Sequence, residues 1–215
     1  MRSERKVHIL AALVVAFFVY PSGGRASAAC SLDDLMGRGI DCNAKKDCSG
    51  GFSLVCDLPP SCSQAGAVTC CGNCTIYLDP NLCVDGQPPP IKKDCSRGRL
   101  NEVVSCCTVR HEKIHIGQCA GDLSHSCREK EAYRDTLRCL ENARLANCPD
   151  SWSREDCTKL DDAIRRIEGG VLLMGCLCSA NSVQACESCR ARCGSMDPQT
   201  CENYIAGCKL PFNID

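Results

Sequence analysis

Aromatic residues, blocks of positive charge and long apolar stretches are scarce in this chain. Phe, Trp and Tyr together make up 4% of its 215 residues. With so few large side chains we expect a small hydrophobic core. Interactions other than the burial of apolar side chains must therefore stabilise the fold. No block of Lys and Arg stands out and the formal net charge is −1, so nucleic acid is not an expected partner. The apolar run from Val7 to Tyr20 is too short for a stable membrane span.

The first 28 residues predict a secretory signal peptide. A basic start at Met1–Lys6 leads into the apolar run, and small residues ending at Ala28 form an Ala-x-Ala cleavage site. Cys30 follows these small residues, as in bacterial lipoproteins, but Ser27 stands where a lipobox normally has leucine. Lipid anchoring at Cys30 is therefore the less favoured alternative, and we expect a secreted or periplasmic protein.

Cysteine, by contrast, is abundant, and all 24 cysteines lie beyond residue 28. This content exceeds the ~8–10% that marks a disulfide scaffold. An even number in an exported chain predicts disulfides rather than zinc–thiolate clusters. Cys71 and Cys74 have the C-x-x-C spacing of thiol oxidoreductases, but in such a cysteine-rich chain structural pairing is the favoured interpretation.

The composition divides the chain beyond the signal peptide into three parts. Residues 29–90 are rich in Gly, Pro, Ser, Asn and Cys, which predicts a loop-rich region with two or three short strands. This region ends in a linker at Gly86–Pro90, where three consecutive prolines favour an extended backbone. Residues 91–150 are expected to form a helical core, and residues 151–215 a Cys-rich helical C-terminal region. The expected fold is therefore mainly α and disulfide-rich.

Apolar residues at helical spacing and capping residues predict the helices beyond the linker. The first begins near Leu100, with Asn101 as its N-cap. The third is expected to stop at Gly169–Gly170, because glycine commonly terminates helices. The expected helices lie at 100–115, Ser126–Asn147, Arg154–Glu168 and Val183–Cys193, with a last one opening at Asp197-Pro198.

The first of these helices carries an H-E-x-x-H pattern at His111–His115. Residues i and i+4 share a helix face, so both imidazoles can bind one metal ion. Glu112 beside them can take a proton from metal-bound water, as a zinc protease requires. A metzincin site is excluded, because Gln118 and Gly121 stand where its pattern needs glycine and histidine. The alternative to a zinc site is an ordinary helix with exposed histidines.

The next helix carries Glu131-Ala132-Tyr133-Arg134-Asp135. H-E-x-x-H on one helix and E-x-x-x-D on the next resemble the gluzincin class of zinc metallopeptidases. The E-A-Y helix is also similar to that of compact secreted bacterial and toxin-like metallopeptidase domains, and the resemblance covers Cys106 to Leu140. It implies a zincin-like helix pair with one Zn²⁺, bound by His111, His115 and Glu131. It also implies that Asp135 orients His111.

The resemblance implies a mechanism as well. Zinc would polarise the scissile carbonyl and lower the pKa of its water. Glu112 would act as general base and pass the proton to the leaving amine, and Tyr133 or His125 would stabilise the oxyanion. The expected function is a secreted zinc metallopeptidase that acts on a peptide or protein substrate. The alternative is a non-enzymatic, disulfide-rich module with a binding or structural role.

In two antiparallel helices that meet at the metal, certain pairs of cysteines would lie opposite each other, at the same height along the helix axes. Cys119 lies four residues after His115, and Cys127 lies four residues before Glu131. A Cys119–Cys127 disulfide is therefore expected at the loop end of the helix pair. At the far end, either Cys106 or Cys107 is expected to pair with Cys139.

Overall fold

The computed structural model describes residues 41–209, except 43, 60–61, 63–66, 84, 93, 122 and 197. The predicted signal peptide and Cys30 lie outside the described residues. Within them the chain is mainly helical with three short strands, which confirms the expected fold class. No helix in this part of the chain is both long and apolar enough to cross a membrane.

A three-stranded sheet precedes the helices. It consists of β1 (Ser53–Val55), β2 (Ala67–Cys70) and β3 (Thr75–Leu78), in the order β1-β3-β2. β3 runs parallel to β1 and antiparallel to β2. Val, Thr, Ile and Tyr favour the pleated strand backbone in β2 and β3, and every residue of both strands is buried. β2 and β3 are therefore buried strands, whereas β1 is an edge strand with one exposed and two half-buried residues.

The helices follow in an order close to the expected one. α2 packs between α1 and α3, while the other side of α1 packs against β2. The H-E-x-x-H helix is thus enclosed between the sheet and a second helix. The helices are α1 (Leu100–Gln118), α2 (His125–Asn147), α3 (Arg154–Ser179), α4 (Val183–Ser188), which leads into a 3-10 turn at Cys189–Arg192, and α5 (Pro198–Lys209).

Two helix starts differ slightly from expectation. The N-cap of α1 is Arg99 rather than Asn101, and the backbone N–H of Arg99 donates to the carboxylate of Glu102. α2 begins after Ser124, whose hydroxyl oxygen accepts a hydrogen bond from the backbone N–H of Cys127. A capping residue just upstream of the expected one was available in both cases.

α3 continues through Gly169–Gly170 to Ser179, so the predicted stop at Glu168 was wrong. A Cβ on Gly170 would lie 3.2 Å from the ring of Tyr133 on α2, and one on Gly169 would lie 2.9 Å from a backbone oxygen of Cys193. The two glycines therefore allow close packing of α3 on its neighbours, and this contact outweighs their poor helix propensity.

Eleven disulfides join cysteines of the described residues. This density is typical of proteins that fold in an oxidising compartment outside the cytoplasm. Cys71 pairs with Cys119, and Cys74 pairs with Cys48. The two cysteines of the C-x-x-C pattern thus belong to separate structural disulfides, which removes the thiol oxidoreductase interpretation.

The disulfides of the helix pair follow the prediction at one end only. Cys107 pairs with Cys139, as expected at the far end. The predicted Cys119–Cys127 disulfide was wrong, because Cys119 is bonded to Cys71 and Cys127 to Cys178. The end of α1 lies against the sheet and the start of α2 lies against the end of α3, so each cysteine meets a partner outside the helix pair.

This pairing divides the described chain into two separately cross-linked halves, residues 41–119 and residues 125–209. Among the disulfides between described cysteines, Cys107–Cys139 alone joins one half to the other. Non-covalent contacts also cross the boundary, including the hydrogen bond from the indole of Trp152 to the backbone oxygen of Gly98. The interface between α1 and α2 therefore depends on side-chain contacts more than on covalent links.

Replacing both Cys107 and Cys139 with alanine is expected to lower the free energy of unfolding by about 3 kcal/mol, because the bridge restricts the unfolded chain across a long loop. Its sequence separation is 32 residues, against 9 for the Cys148–Cys157 bridge within the second half. Removing that shorter bridge should cost about 1 kcal/mol less. Guanidinium denaturation of the oxidised proteins measures both, and an equal or smaller loss for the Cys107–Cys139 variant would contradict this expectation.

Candidate metal centre

Three side chains from α1 and α2 converge between the two helices. The Nε2 atoms of His111 and His115 lie 3.1 Å apart. Glu129 Oε1 lies 3.1 Å from Nε2 of His115, and Glu129 Oε2 lies 3.6 Å from Nε2 of His111. These side chains are between 3% and 11% exposed. Two imidazole nitrogens and a carboxylate thus share one enclosed position, which we call the His/Glu centre.

The separations within the His/Glu centre suit one zinc ion. Zinc binds imidazole nitrogen at ~2.0–2.1 Å in a tetrahedral arrangement, which places neighbouring ligand atoms about 3.3 Å apart. The two Nε2 atoms are 3.1 Å apart, and each lies 3.1 or 3.6 Å from a different oxygen of the Glu129 carboxylate, so these separations fall on either side of that value. Imidazole nitrogen and carboxylate oxygen are also common zinc ligands. The residues present therefore fit the metal in chemistry and in spacing.

The tautomer of His111 follows from its neighbour on α2. The hydroxyl of Thr136 donates to the backbone oxygen of Ala132 at 3.0 Å. The same hydroxyl lies 3.0 Å from Nδ1 of His111, so it accepts the hydrogen of that nitrogen. The lone pair of His111 then belongs to Nε2, the atom at the His/Glu centre.

A chain of two hydrogen bonds orients His115 in the same way. The side-chain amide of Gln118 donates to Glu131 Oε2 at 2.6 Å. Its oxygen is thereby left to accept from Nδ1 of His115 at 3.1 Å. When the His115 ring is neutral, the lone pair of its Nε2 is therefore directed to the shared position as well. Acceptors that hold the outer nitrogen of each imidazole are a common feature of zinc-binding histidines.

The charges at the His/Glu centre favour a cation. Burial alone would lower the pKa of His115, but the charge and hydrogen bond of Glu129, with further contributions from Glu112 and Gln118, raise it to about 9. Burial alone would raise the pKa of Glu129, yet the charge of His115, together with the contacts that both histidines make with the carboxylate, holds it well below its usual range. A buried carboxylate that stays ionised requires a positive partner, either a proton on imidazole or a metal ion.

Glu112, the predicted general base, is buried between α1 and β2. The hydroxyl of Thr69 on β2 lies 2.7 Å from Glu112 Oε2 and 3.1 Å from the backbone oxygen of Glu112. The charge of Glu112 also contributes to the raised pKa of His115. Within the described residues, hydrogen bonds to this carboxylate involve Oε2 alone, so Oε1 is left to accept a proton.

The predicted third ligand, Glu131, does not lie in the His/Glu centre. Its side chain is on an exposed part of α2 and reaches His115 only through Gln118. Glu129, two residues earlier, occupies the position expected for Glu131. A shift of two residues turns a helical side chain by about 200°, to the opposite side of the helix.

Asp135 also differs from its predicted role of orienting His111. Its carboxylate accepts two hydrogen bonds from Arg110, at 2.7 and 3.0 Å. The group that orients His111 is the hydroxyl of Thr136, the next residue of α2. The sequence pattern E-x-x-x-D is thus present, but its two carboxylates contact other partners.

Helical spacing could have identified Glu129. Counting back from the apolar residues of α2, Glu129 falls on the same face as Tyr133, Thr136 and Leu140, all of which are buried. Its position near Ser126 instead suggested the start of a capped helix. A carboxylate on the apolar face of a helix is the more informative observation, because burying a charge is costly unless it has a partner.

The two residues predicted to stabilise the oxyanion lie beside different members of the centre, Tyr133 beside His111 and His125 beside Glu129. Tyr133 is fully buried, its ring is edge-on to His111 with centroids 5.2 Å apart, and its hydroxyl lies 3.3 Å from that of Tyr204. His125 Nδ1 lies 4.0 Å from Glu129 Oε1, and its side chain is 19% exposed. Burial lowers the pKa of His125 and raises the pKa of both tyrosines well above its usual value.

Tyr204, on α5, is a neighbour of the centre that sequence reasoning did not identify. Its ring stacks on that of His125 with centroids 6.0 Å apart. No sequence pattern connects it to the histidines, because α5 reaches the centre only through the folding of the C-terminal region.

Comparison with known proteins gives no match: no family model fits the chain, and neither a curated protein nor a solved structure is significantly similar to it. Function must therefore be inferred from the His/Glu centre and its neighbours. These residues combine three side chains that could bind one cation with a further buried carboxylate, that of Glu112, on the same helix. Metal-assisted hydrolysis needs the same combination.

Proposed function

We propose that this protein is a zinc-dependent peptidase whose metal ligands are His111, His115 and Glu129. The observation that carries the proposal is the convergence of two imidazole Nε2 atoms and one carboxylate at separations suited to a tetrahedral ion. The H-E-x-x-H pattern of α1 supports the same function. The E-x-x-x-D half of the gluzincin resemblance does not, because Glu131 and Asp135 contact Gln118 and Arg110 instead. The disulfides are consistent with action outside the cytoplasm, after removal of the predicted signal peptide.

In the proposed reaction, His111, His115 and Glu129 would hold a zinc ion, which would supply the Lewis acidity that peptide hydrolysis needs. Glu112 accepts the proton of the attacking water through Oε1 and transfers it to the leaving amine. His125, as a neutral imidazole, donates to the developing oxyanion. Tyr133 is assigned to support of the His111 ring, because its hydroxyl is enclosed beside that of Tyr204.

A peptide or protein substrate would approach from the side of His115 and His125. Their side chains are 11% and 19% exposed, whereas those of His111 and Glu129 are 3% and 4% exposed. A catalytic zinc needs an open position for substrate. This side of the His/Glu centre is the direction that the exposure favours.

A structural zinc site without catalysis is the second candidate. It is favoured by the burial of the ligands and by their position across the boundary between the two cross-linked halves, where a metal would act like a second disulfide. Zinc content alone does not separate the two candidates, because both predict one zinc ion per chain. Hydrolysis separates them.

Metal removal tests the proposal directly. Elemental analysis of the natively oxidised protein is expected to give one zinc per chain, and hydrolysis of fluorescently labelled casein should disappear with 1,10-phenanthroline and return with added zinc. Zinc without hydrolysis, together with a lower unfolding midpoint after chelation, would favour the structural site. Absence of zinc, with none taken up on addition, would leave the non-enzymatic binding module as the remaining interpretation.

A further inference from the structure

We propose that Thr69 is a positioning residue that holds Glu112 for proton transfer, and that the sheet carrying it is part of the active site. The inference rests on the proposed peptidase function. It concerns a residue that lies 43 positions before Glu112 in the chain, in the loop-rich region where sequence patterns indicate no site residue.

The contact between Thr69 and Glu112 is short and enclosed. The hydroxyl of Thr69 lies 2.7 Å from Oε2, within the range of a strong hydrogen bond to a carboxylate. The two residues are 6% and 5% exposed, so water competes little for this interaction. Because a buried carboxylate depends on such donors, the hydroxyl determines which direction the carboxylate takes. With Oε2 held, Oε1 is the oxygen that can move a proton.

Disulfides at the two residues after Thr69 hold this end of strand β2 in place. The following residues, Cys70 and Cys71, are bonded to Cys42 and Cys119 respectively. Cys119 comes directly after the last residue of α1, so the disulfide ties strand β2 to the helix that carries Glu112. Within the sheet, Thr69 is paired with Ile76 of β3. The strand that carries the Thr69 hydroxyl is therefore covalently linked to the helix that carries the Glu112 carboxylate.

This arrangement assigns a role to residues 29–90. A Cys-rich region that precedes an H-E-x-x-H helix can be a pro-segment, an accessory region or a binding module. A pro-segment is removed on activation, but removing this region would take away the only described side-chain donor to the Glu112 carboxylate. The sheet is accordingly an integral part of the peptidase.

The test compares Thr69→Val with Thr69→Ser. Valine keeps the shape of threonine without its hydroxyl, whereas serine keeps the hydroxyl. Each purified variant is assayed for zinc content, for its midpoint of thermal unfolding and for its initial rate on labelled casein. We expect Thr69→Val to keep one zinc per chain and to lose about tenfold or more in rate, because misplacing a catalytic group by about 1 Å can cost 100-fold. Thr69→Ser should restore the rate to within about threefold of wild type.

Double variants that combine Thr69→Val with a substitution at Glu112 separate a positioning role of Thr69 from a purely structural one. Thr69→Val should lower the rate in the wild type but not in a Glu112→Gln background, where the base is already absent. The shift in unfolding midpoint caused by Thr69→Val should likewise shrink when Glu112 is alanine, since the two groups act through one contact.

Two results would overturn the role of Thr69 while leaving the proposed function intact: a wild-type rate for Thr69→Val, or a Thr69→Ser variant as slow as Thr69→Val. A wild-type protein that holds zinc but hydrolyses casein no faster than Glu112→Gln would instead overturn the proposed function, and the catalytic role of Thr69 with it. The unfolding measurements then still report whether the contact exists.

Discussion

Glu129→Gln is expected to abolish zinc binding, whereas the same change at Glu131 leaves the metal in place. Glutamine is a poor zinc ligand, and the carboxylate of Glu129 is the one that lies 3.1 Å from Nε2 of His115. We expect a loss of more than about 100-fold in zinc affinity, since changes to groups that only orient the ligands already cost 10–100-fold. Elemental analysis after dialysis against a zinc buffer measures the difference.

Glu131→Gln is the matched control on the same helix. The amide oxygen of glutamine can still accept from Gln118, which keeps the orientation of His115. We expect less than about a tenfold change in affinity, because Glu131 acts only through that second residue. Loss of zinc in Glu131→Gln with retention in Glu129→Gln would instead support the assignment made from the E-x-x-x-D pattern.

Glu112→Gln is expected to keep one zinc per chain and to lose hydrolysis by about 10²- to 10⁴-fold, the contribution typical of a general base. Glutamine has almost the shape of glutamate and can still accept from the hydroxyl of Thr69. Its amide cannot take up a proton at neutral pH. Zinc content, the unfolding midpoint and the rate on labelled casein are measured on the same preparation.

Glu141→Gln serves as the control for loss of a negative charge, because Glu141 is an exposed residue of α2 on the far side of the helix pair. It should leave zinc content and rate unchanged. A Glu112→Gln variant with wild-type activity would exclude Glu112 as the base. If the variant lost its zinc as well, Glu112 would belong with the groups that hold the metal.

Local sequence patterns were sufficient for the elements that depend on neighbouring residues. Helical spacing placed His111 and His115 on one face of α1, and their Nε2 atoms are 3.1 Å apart. The start of α5 at Pro198 and the high disulfide content also followed from the sequence. The histidine pair and the start of α5 depend on residues that are close in the sequence, and the disulfide content depends on composition alone.

The structure places Glu129, and not the predicted Glu131, beside the two histidines, because the buried face of the helix and not the short motif decides which carboxylate points inward. Glu131 and Asp135 fit the gluzincin spacing, but the buried face of α2 carries Glu129 and Thr136 instead. In the same way, Gly169–Gly170 indicated a helix end, while the structure uses the missing side chains to bring α3 close to α2. In each case the deciding interaction was between different helices.

What the sequence alone determined is the fold class, the helix carrying H-E-x-x-H, and the meeting of two histidines on one face. Only the tertiary structure decided that Glu129 completes the His/Glu centre, that Cys119 pairs with Cys71, and that Thr69 reaches Glu112. Helix periodicity is a local property of the backbone, so the sequence displays it. Contacts between elements depend on how buried faces pack and which cysteines that packing brings together, and sequence spacing carries little information on either.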